Sequence, residues 1–225
     1  MSTRFDRTAA LVGDDGINRL RAARVLVVGI GGVGGGAVEC LARSGVGYLR
    51  LVDGDVFESS NLNRQLFSTV SALGKNKAIV AKARIAEIAD DAEVDAVPEF
   101  LTEENISKLL DGVEYCVDAI DDIKNKIALI KACKARGIYV VSAMGAGNRL
   151  DCDFEACDIF QTKNDPFARV IRKKLKLEGV TSLDVVCAKS PPKVTPNSAP
   201  SSIAAPPLVM GAMLASRIVM RIVGE

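Results

Sequence analysis

Apolar runs and helical periods alternate through the first two thirds of the chain. Arg24-Val25-Leu26-Val27-Val28-Gly29 reads as a buried strand, and the small residues over 32–44 open a helix. Residues 48–53 predict a second strand. Residues 77–88 predict a helix in which Ile79, Val80, Ala83 and Ile85 are interleaved with basic positions. A third strand is expected over 94–100, with Thr102 placed to cap a short helix after it. A fourth strand over 113–118 ends at an acidic loop, and a helix over 122–136 is stopped by Gly137. Residues 139–143 predict a fifth strand. This order implies an α/β fold: a Rossmann-like, mostly parallel sheet with right-handed crossovers and helices on both faces.

Past Met144 the pattern loosens. Residues 145–147 form a glycine-containing turn, Pro166 opens a basic helix, and 190–202 carries four prolines and four serines, as a loop would. The expected organisation is one domain over 1–225. Residues 1–145 form its core, and 146–225 are an appendage that shares that core. The apolar stretch over 203–223 contains Pro206, Pro207, Arg217 and Arg221, so it reads as a buried or interface helix and not as a membrane span.

Composition narrows the chemistry. Of 225 residues, 48% are hydrophobic but only 4% aromatic, which suits a Val/Ile/Leu/Ala core between parallel strands and helices. The net charge of +1 gives no global drive toward nucleic acid. Two segments are locally basic: the helix with Lys124, Lys126, Lys131, Lys134 and Arg136, and the stretch 169–176. The opening residues lack a charged-then-apolar leader, which predicts a cytoplasmic protein with reduced thiols. None of the six cysteines forms a C-x-x-C pair, against a four-cysteine zinc site. The absence of histidine excludes Ser-His and Cys-His mechanisms. Carboxylates, Lys, Arg, Cys, backbone amides or a metal must do the work.

Gly29, Gly31 and Gly34 have G-x-G-x-x-G spacing between a strand and a helix. Glycines let the backbone approach phosphate, and the helix N-terminus offers free N–H groups to its charge. Asp53, nineteen residues past Gly34 at the end of the next strand, is placed to accept from ribose hydroxyls. After it, Asn61, Arg64, Gln65 and Lys77 gather polar and cationic groups near the strand ends. Two cations beside a phosphate site suit a triphosphate.

The run G-I-G-G-V-G, then L-V-D-G-D-V, S-N-L-N-R-Q and G-K-N-K, resembles the adenylating-enzyme superfamily that includes ubiquitin-activating enzymes. The resemblance implies ATP and Mg²⁺, with 1–145 as the nucleotide-binding core of one ATP-binding adenylating domain and 146–225 as its substrate and dimer appendage. Gly29, Gly31, Gly32 and Gly34 would carry the phosphates, with Asp53 on the ribose and Asp55 beside it. Asn61, Arg64, Gln65 and Lys77 would surround the phosphates, and Asp121 would hold the metal. Arg7, in Arg4-Phe5-Asp6-Arg7, would reach a partner subunit's ATP, which implies a homodimer. Arg7, Arg64, Lys77 and Asp121 are thus the expected catalytic set.

Within that superfamily the opening R-F-D-R-T-A-x-L-x-G is similar to the tRNA threonylcarbamoyladenosine dehydratases. So are D-A-I-D-D with Lys126 after it, G-A-G at 145–147, D-P-F-A-R-V-I-R at 165–172 and the ending P-S-S-I-A-A-P-P-L-V-M-G-A-M-L-A-S. This branch implies ATP-dependent cyclisation of threonylcarbamoyladenosine in tRNA through a carboxyl-adenylate, with tRNA meeting the 169–176 segment. A sulfur-transfer protein is a further partner the resemblance allows. The alternatives are adenylation of a sulfur-carrier protein's C-terminal glycine, a nicotinamide-dependent oxidoreductase, and a nucleotide-binding scaffold. Cys187, just before the proline-rich stretch, is expected in a loop, either as an ordinary thiol or as a reactive one.

Overall fold

A computed structural model describes residues 4–193 and 201–225. The first three positions, and the 194–200 part of the loop expected over 190–202, lie outside the described residues. Five short apolar runs become parallel strands: β1 (Arg24–Val28), β2 (Tyr48–Val52), β3 (Glu93–Val97), β4 (Tyr115–Asp118) and β5 (Tyr139–Ala143). The third ends earlier than its apolar run suggested, because Pro98 follows and has no N–H for the ladder. Two further strands, β6 (Phe154–Asp158) and β7 (Asp184–Ala188), were not expected. β7 joins β5 in parallel, and β6 closes the edge antiparallel to β7, giving the order β3-β2-β1-β4-β5-β7-β6.

Alternate strand residues face opposite layers, as the period of two requires. Val25, Val27, Leu49 and Leu51 pack beneath α1 (Asp6–Ala22), α2 (Gly32–Ser44), α3 (Lys77–Ala86) and α7 (Ala205–Val223). Leu26, Val28, Cys116 and Val140 face α4 (Ile106–Leu109), α5 (Ile123–Ala135) and α6 (Pro166–Leu177). Helix α1 was not foreseen; Gly13, at φ +73°, kinks it. Thr102 is not a cap: Asn105 occupies that position, and its Oδ1 accepts from the Thr102 N–H at 2.8 Å.

Helix α7 is long and apolar enough to cross a bilayer, but it is a core helix. Met210, Leu214, Ile218 and Ile222 recur every fourth residue and are buried against the sheet and α2. Burying four such side chains is worth roughly 6 to 12 kcal/mol before conformational entropy is subtracted. The crossing with α2 is close: a Cβ on Gly211 would stand 2.2 Å from the Val33 carbonyl. Cys187 lies on β7 and is fully buried, with its Sγ 3.6 Å from that of Cys157. Burial pushes both thiols up, and the expected loop position gives way to a core strand, with Cys187 inside and Cys157 half-buried beside it.

Candidate active site

In a doubly wound sheet the crevice opens where strand order reverses, here between β1 and β4. A cavity of about 800 Å³ occupies that place, within the size range of ligand pockets. The β1–α2 turn forms its floor. Gly29 has φ +86°, and a Cβ there would lie 2.7 Å from the Ala119 carbonyl. A Cβ on Gly34 would fall 1.7 Å from the Gly29 carbonyl. Both glycines are therefore required by the turn itself. Gly31 differs, because a Cβ there would meet nothing nearer than Gln65 Nε2 at 3.8 Å. Open space over a helix N-terminus is where a phosphate can approach.

Asp53, just past β2, is fixed by the turn. Its Oδ2 accepts from Ile30 N–H at 2.6 Å and its Oδ1 from Asp55 N–H at 2.8 Å. Burial pushes its carboxyl above the usual range, opposed by those two hydrogen bonds and by Lys77. Each oxygen keeps a lone pair for a hydroxyl donor. Lys77, the first residue of α3, is 7% exposed and lies 3.0 Å from Asp55 Oδ2. Asn76 makes this corner: its Oδ1 caps α3 at Ala78 and Ile79, while its Nδ2 donates to the Asp53 and Asp55 carbonyls. The S/T/D/N helix-start signal was present at Asn76, yet its staple to the β2 loop depends on tertiary approach.

Gly29, Gly31, Gly32, Asp53 and Asp55 line the cavity, as do Arg64, Gln65, Lys77 and Asp121. Three expected site residues do not. Gly34 is buried in the turn beneath. Asn61 is 7% exposed and spends its Oδ1 on the Glu58 N–H at 3.1 Å, shaping the Ser59–Asn61 turn that presents Arg64. Arg7 is exposed on α1, outside the cavity lining. Arg64 donates to the Ser60 carbonyl at 2.8 Å and to Asn63 Oδ1 at 2.9 Å. The Gln65 Oε1 is buried without a hydrogen-bond partner. An amide oxygen left in this way calls for an N–H or O–H donor.

Behind the β4 side of the cavity lies a buried pair whose partnership the sequence did not show. Asp118 and Lys126 are both fully buried and pair at 3.0 Å, with Ser142 Oγ donating to Asp118 Oδ2 and Lys126 Nζ to the Ile120 carbonyl. Lys126 therefore cannot meet tRNA phosphates. The rest of that helix face is largely neutralised: Lys124 pairs with Glu103, Lys131 with Glu178 and Arg136 with Asp111. In the other basic segment Arg172 is turned inward onto the Thr162 carbonyl at 2.5 Å, leaving Arg169, Lys173, Lys174 and Lys176 exposed. Asp165 caps α6 at Ala168 N–H and accepts from Gly145 N–H, tying α6 to the cavity wall; Asp-Pro at a helix start was its legible signal. Arg149, also in the wall, is 4% exposed and left no mark in the sequence pattern.

Asp121 is an exposed carboxylate on the same loop, with no ion pair or hydrogen bond among the described residues. An acid free in this way beside a phosphate site fits a hard cation such as Mg²⁺.

A model of the ThiF family matches residues 5–225. The tRNA threonylcarbamoyladenosine dehydratase of Bacillus subtilis (strain 168) is 44% identical over 182 residues, covering 80% of this chain and 72% of that protein. A crystal structure of the Escherichia coli tRNA N6-threonylcarbamoyladenosine dehydratase with AMP superposes with a TM-score of 0.94 at 31% identity, covering 98% of this chain and 94% of the other. The same enzyme with ATP gives 0.93 at 32% identity, with the same coverage.

Proposed function

The chain belongs to the ThiF family, among its tRNA threonylcarbamoyladenosine dehydratases, and we propose that its cavity activates the threonylcarbamoyl carboxylate with ATP and closes the ring. The observation that carries this is the meeting of the glycine turn, Asp53, Arg64, Gln65, Lys77 and Asp121 around one cavity at the switch point. The AMP and ATP complexes of the E. coli relative support the choice of nucleotide.

The ribose sits at Asp53 and the phosphates lie over the β1–α2 turn. A carboxylate oxygen of the threonylcarbamoyl group attacks the α-phosphorus, the bond to the bridging oxygen breaks, and pyrophosphate leaves. A carbamoyl oxygen or nitrogen of the same side chain then attacks the acyl carbon and expels AMP. The substrate's lost oxygen departs with AMP, so the nucleoside is left one water lighter. Arg64 and Lys77 offset charge on the phosphates, and Gln65 donates through Nε2. Asp55 holds the Lys77 ammonium in place. Mg²⁺ at Asp121 would supply further charge neutralisation on the phosphate oxygens. No protein nucleophile or general base of histidine type enters the scheme. Proximity of the carboxylate to the α-phosphorus does most of the work.

The active form in this reading is a cytoplasmic homodimer, in which Arg7 of one copy completes the phosphate site of the other. The exposed lysines of α6 receive tRNA phosphates. A sulfur-transfer protein remains a further partner under this reading. The test is incubation with ATP, Mg²⁺ and tRNA bearing threonylcarbamoyladenosine, followed by mass spectrometry of the nucleosides. Loss of one water is expected. No loss, together with pyrophosphate exchange that depends on a carrier protein's C-terminal glycine, would instead assign the site to sulfur-carrier activation. A fully active monomer at micromolar concentration would remove the role of Arg7.

A further inference from the structure

Arg149 follows the Gly145–Gly147 turn on the β5 side of the cavity, across β1 and β4 from Asp53. It is 4% exposed, and no carboxylate among the described residues pairs with it. Its Nη1 donates to the Ser190 carbonyl at 2.7 Å and to Ser190 Oγ at 3.2 Å. Its Nε is buried with no acceptor, and Nη2 makes no hydrogen bond among the described residues. A buried guanidinium with an unused donor is costly unless something charged fills the place. The unused edge, Nε with Nη2, is the pair that grips a carboxylate with two parallel hydrogen bonds.

The backbone around it is fixed. Asn148 stands at φ +57°, a conformation that Asn tolerates better than most side chains. Its N–H donates to the Ser201 carbonyl at 2.7 Å, its Oδ1 accepts from Ser201 N–H at 2.7 Å, and its carbonyl accepts from Lys193 N–H at 2.8 Å. Gly145 N–H is held by Asp165 Oδ2 at 2.9 Å. The wall that carries Arg149 is thus anchored from three directions. Arg64 and Lys77 line the half of the cavity to which the proposed function assigns the phosphates. Arg149 is the cation that lines the other half.

We propose that Arg149 binds the free carboxylate of the acyl substrate through its Nε–Nη2 edge and presents it to the nucleotide. This rests on the reading of the cavity as a carboxylate-adenylating site. It makes Arg149 a residue that selects a carboxylate over a neutral acyl group of the same shape.

The experiment compares two probes, the free nucleoside threonylcarbamoyladenosine and its carboxyl methyl ester, against wild type, Arg149→Met and Arg149→Lys. Calorimetry gives the affinity of each probe and of ATP, and a thermal melt checks folding. Wild type should prefer the acid over the ester by about tenfold or more, the range of charge-assisted hydrogen bonds. Arg149→Met should bind the two probes within about twofold and keep its ATP affinity, since the change removes only the charged grip. Arg149→Lys keeps the charge but not the fork, so its preference should fall to an intermediate value; it decides the matter if the Met variant does not fold. Wild-type preference retained in Arg149→Met, or in Arg149→Lys where that variant alone folds, overturns the proposal. So does an absent preference in wild type, or a parallel loss of ATP affinity, which would give the cation to the nucleotide. Failure of wild type to dehydrate modified tRNA while discriminating acid from ester would remove the catalytic reading alone.

Discussion

Replacing Lys126 by Met tests how the β4 loop is held in the cavity wall. Lys126 and Asp118 are both 0% exposed, 3.0 Å apart, and the ammonium also donates to the Ile120 carbonyl at 2.9 Å. Methionine has a similar volume, so little cavity is created. What remains is a buried carboxylate with the Ser142 hydroxyl at 2.6 Å and only a long approach from Ile120 N–H at 3.4 Å. Breaking a buried pair from one side costs about 3–5 kcal/mol. For a domain of this size each kcal/mol moves Tm by roughly 2–4 °C, so the melt should fall by roughly 6 to 20 °C. ATP affinity should also weaken well below the melt, because Ile120 loses the bond that holds its loop against the Gly29 turn. Adding Asp118→Leu should recover most of the stability, since both charges are then gone. The salt dependence of tRNA binding should not change, because Lys126 never reaches solvent. Differential scanning calorimetry on the two variants decides it. A single-variant drop below about 2 °C, or a double variant no more stable than the single, would refute the account of this pair.

Gly34→Ala should abolish ATP binding and lower Tm, because its Cβ would fall 1.7 Å from a backbone carbonyl; an unchanged ATP affinity in calorimetry would contradict the turn as described. Lys77→Met should weaken ATP by about 10- to 150-fold, the value of a charge-assisted hydrogen bond, and AMP much less. Equal losses for ATP and AMP would move Lys77 away from the outer phosphates. Burial raises the Asp53 carboxyl, so its ribose-accepting form should be lost on acidification at a pH above that of an ordinary aspartate, and ATP affinity should fall there first. The sign for stability is opposite: the folded state holds this proton more tightly than the unfolded chain, so Asp53 alone lowers stability as pH rises through that window. Removing the Asp53 carboxylate with Ala should remove that acid limb from a plot of ATP affinity against pH. Changing Lys173, Lys174 and Lys176 together to Ala should reduce the salt slope of tRNA binding by about 0.9 for each phosphate left without its lysine, with Tm nearly unchanged, whereas a shift in Tm without a change in slope would mark a structural role.

The parallel half of the fold was legible because β1 to β5 are short, largely apolar segments and each of the first four is followed by a helix in the chain, α3 and α5 with side-chain caps of their own. β6 and β7 were not, for a reason that lies in their pairing. Phe-Glu-Ala-Cys-Asp carries no strong run, and its strand exists because β7 offers it a ladder from Phe154↔Ala188 to Asp158↔Asp184. That extension buries Cys187, which as an isolated residue before a proline-rich stretch looked like part of a loop. The cavity divides in the same way. The glycine turn, Asp53, Arg64, Gln65 and Lys77 belong to consecutive segments around β1 and β2, where spacing along the chain nearly equals proximity in space. The opposite wall is assembled from the ends of β4 and β5, the Asp165 cap and the segment around Pro192, which lie far apart in the sequence and meet only in the fold. Arg149 therefore has no sequence signal: its lack of a carboxylate partner is a property of the folded wall. The half of the cavity to which the proposal assigns the nucleotide is written in motifs, and the half to which it assigns the acid is written in tertiary structure. Substitutions on the first half should change ATP affinity, and those on the second should change which acid is accepted.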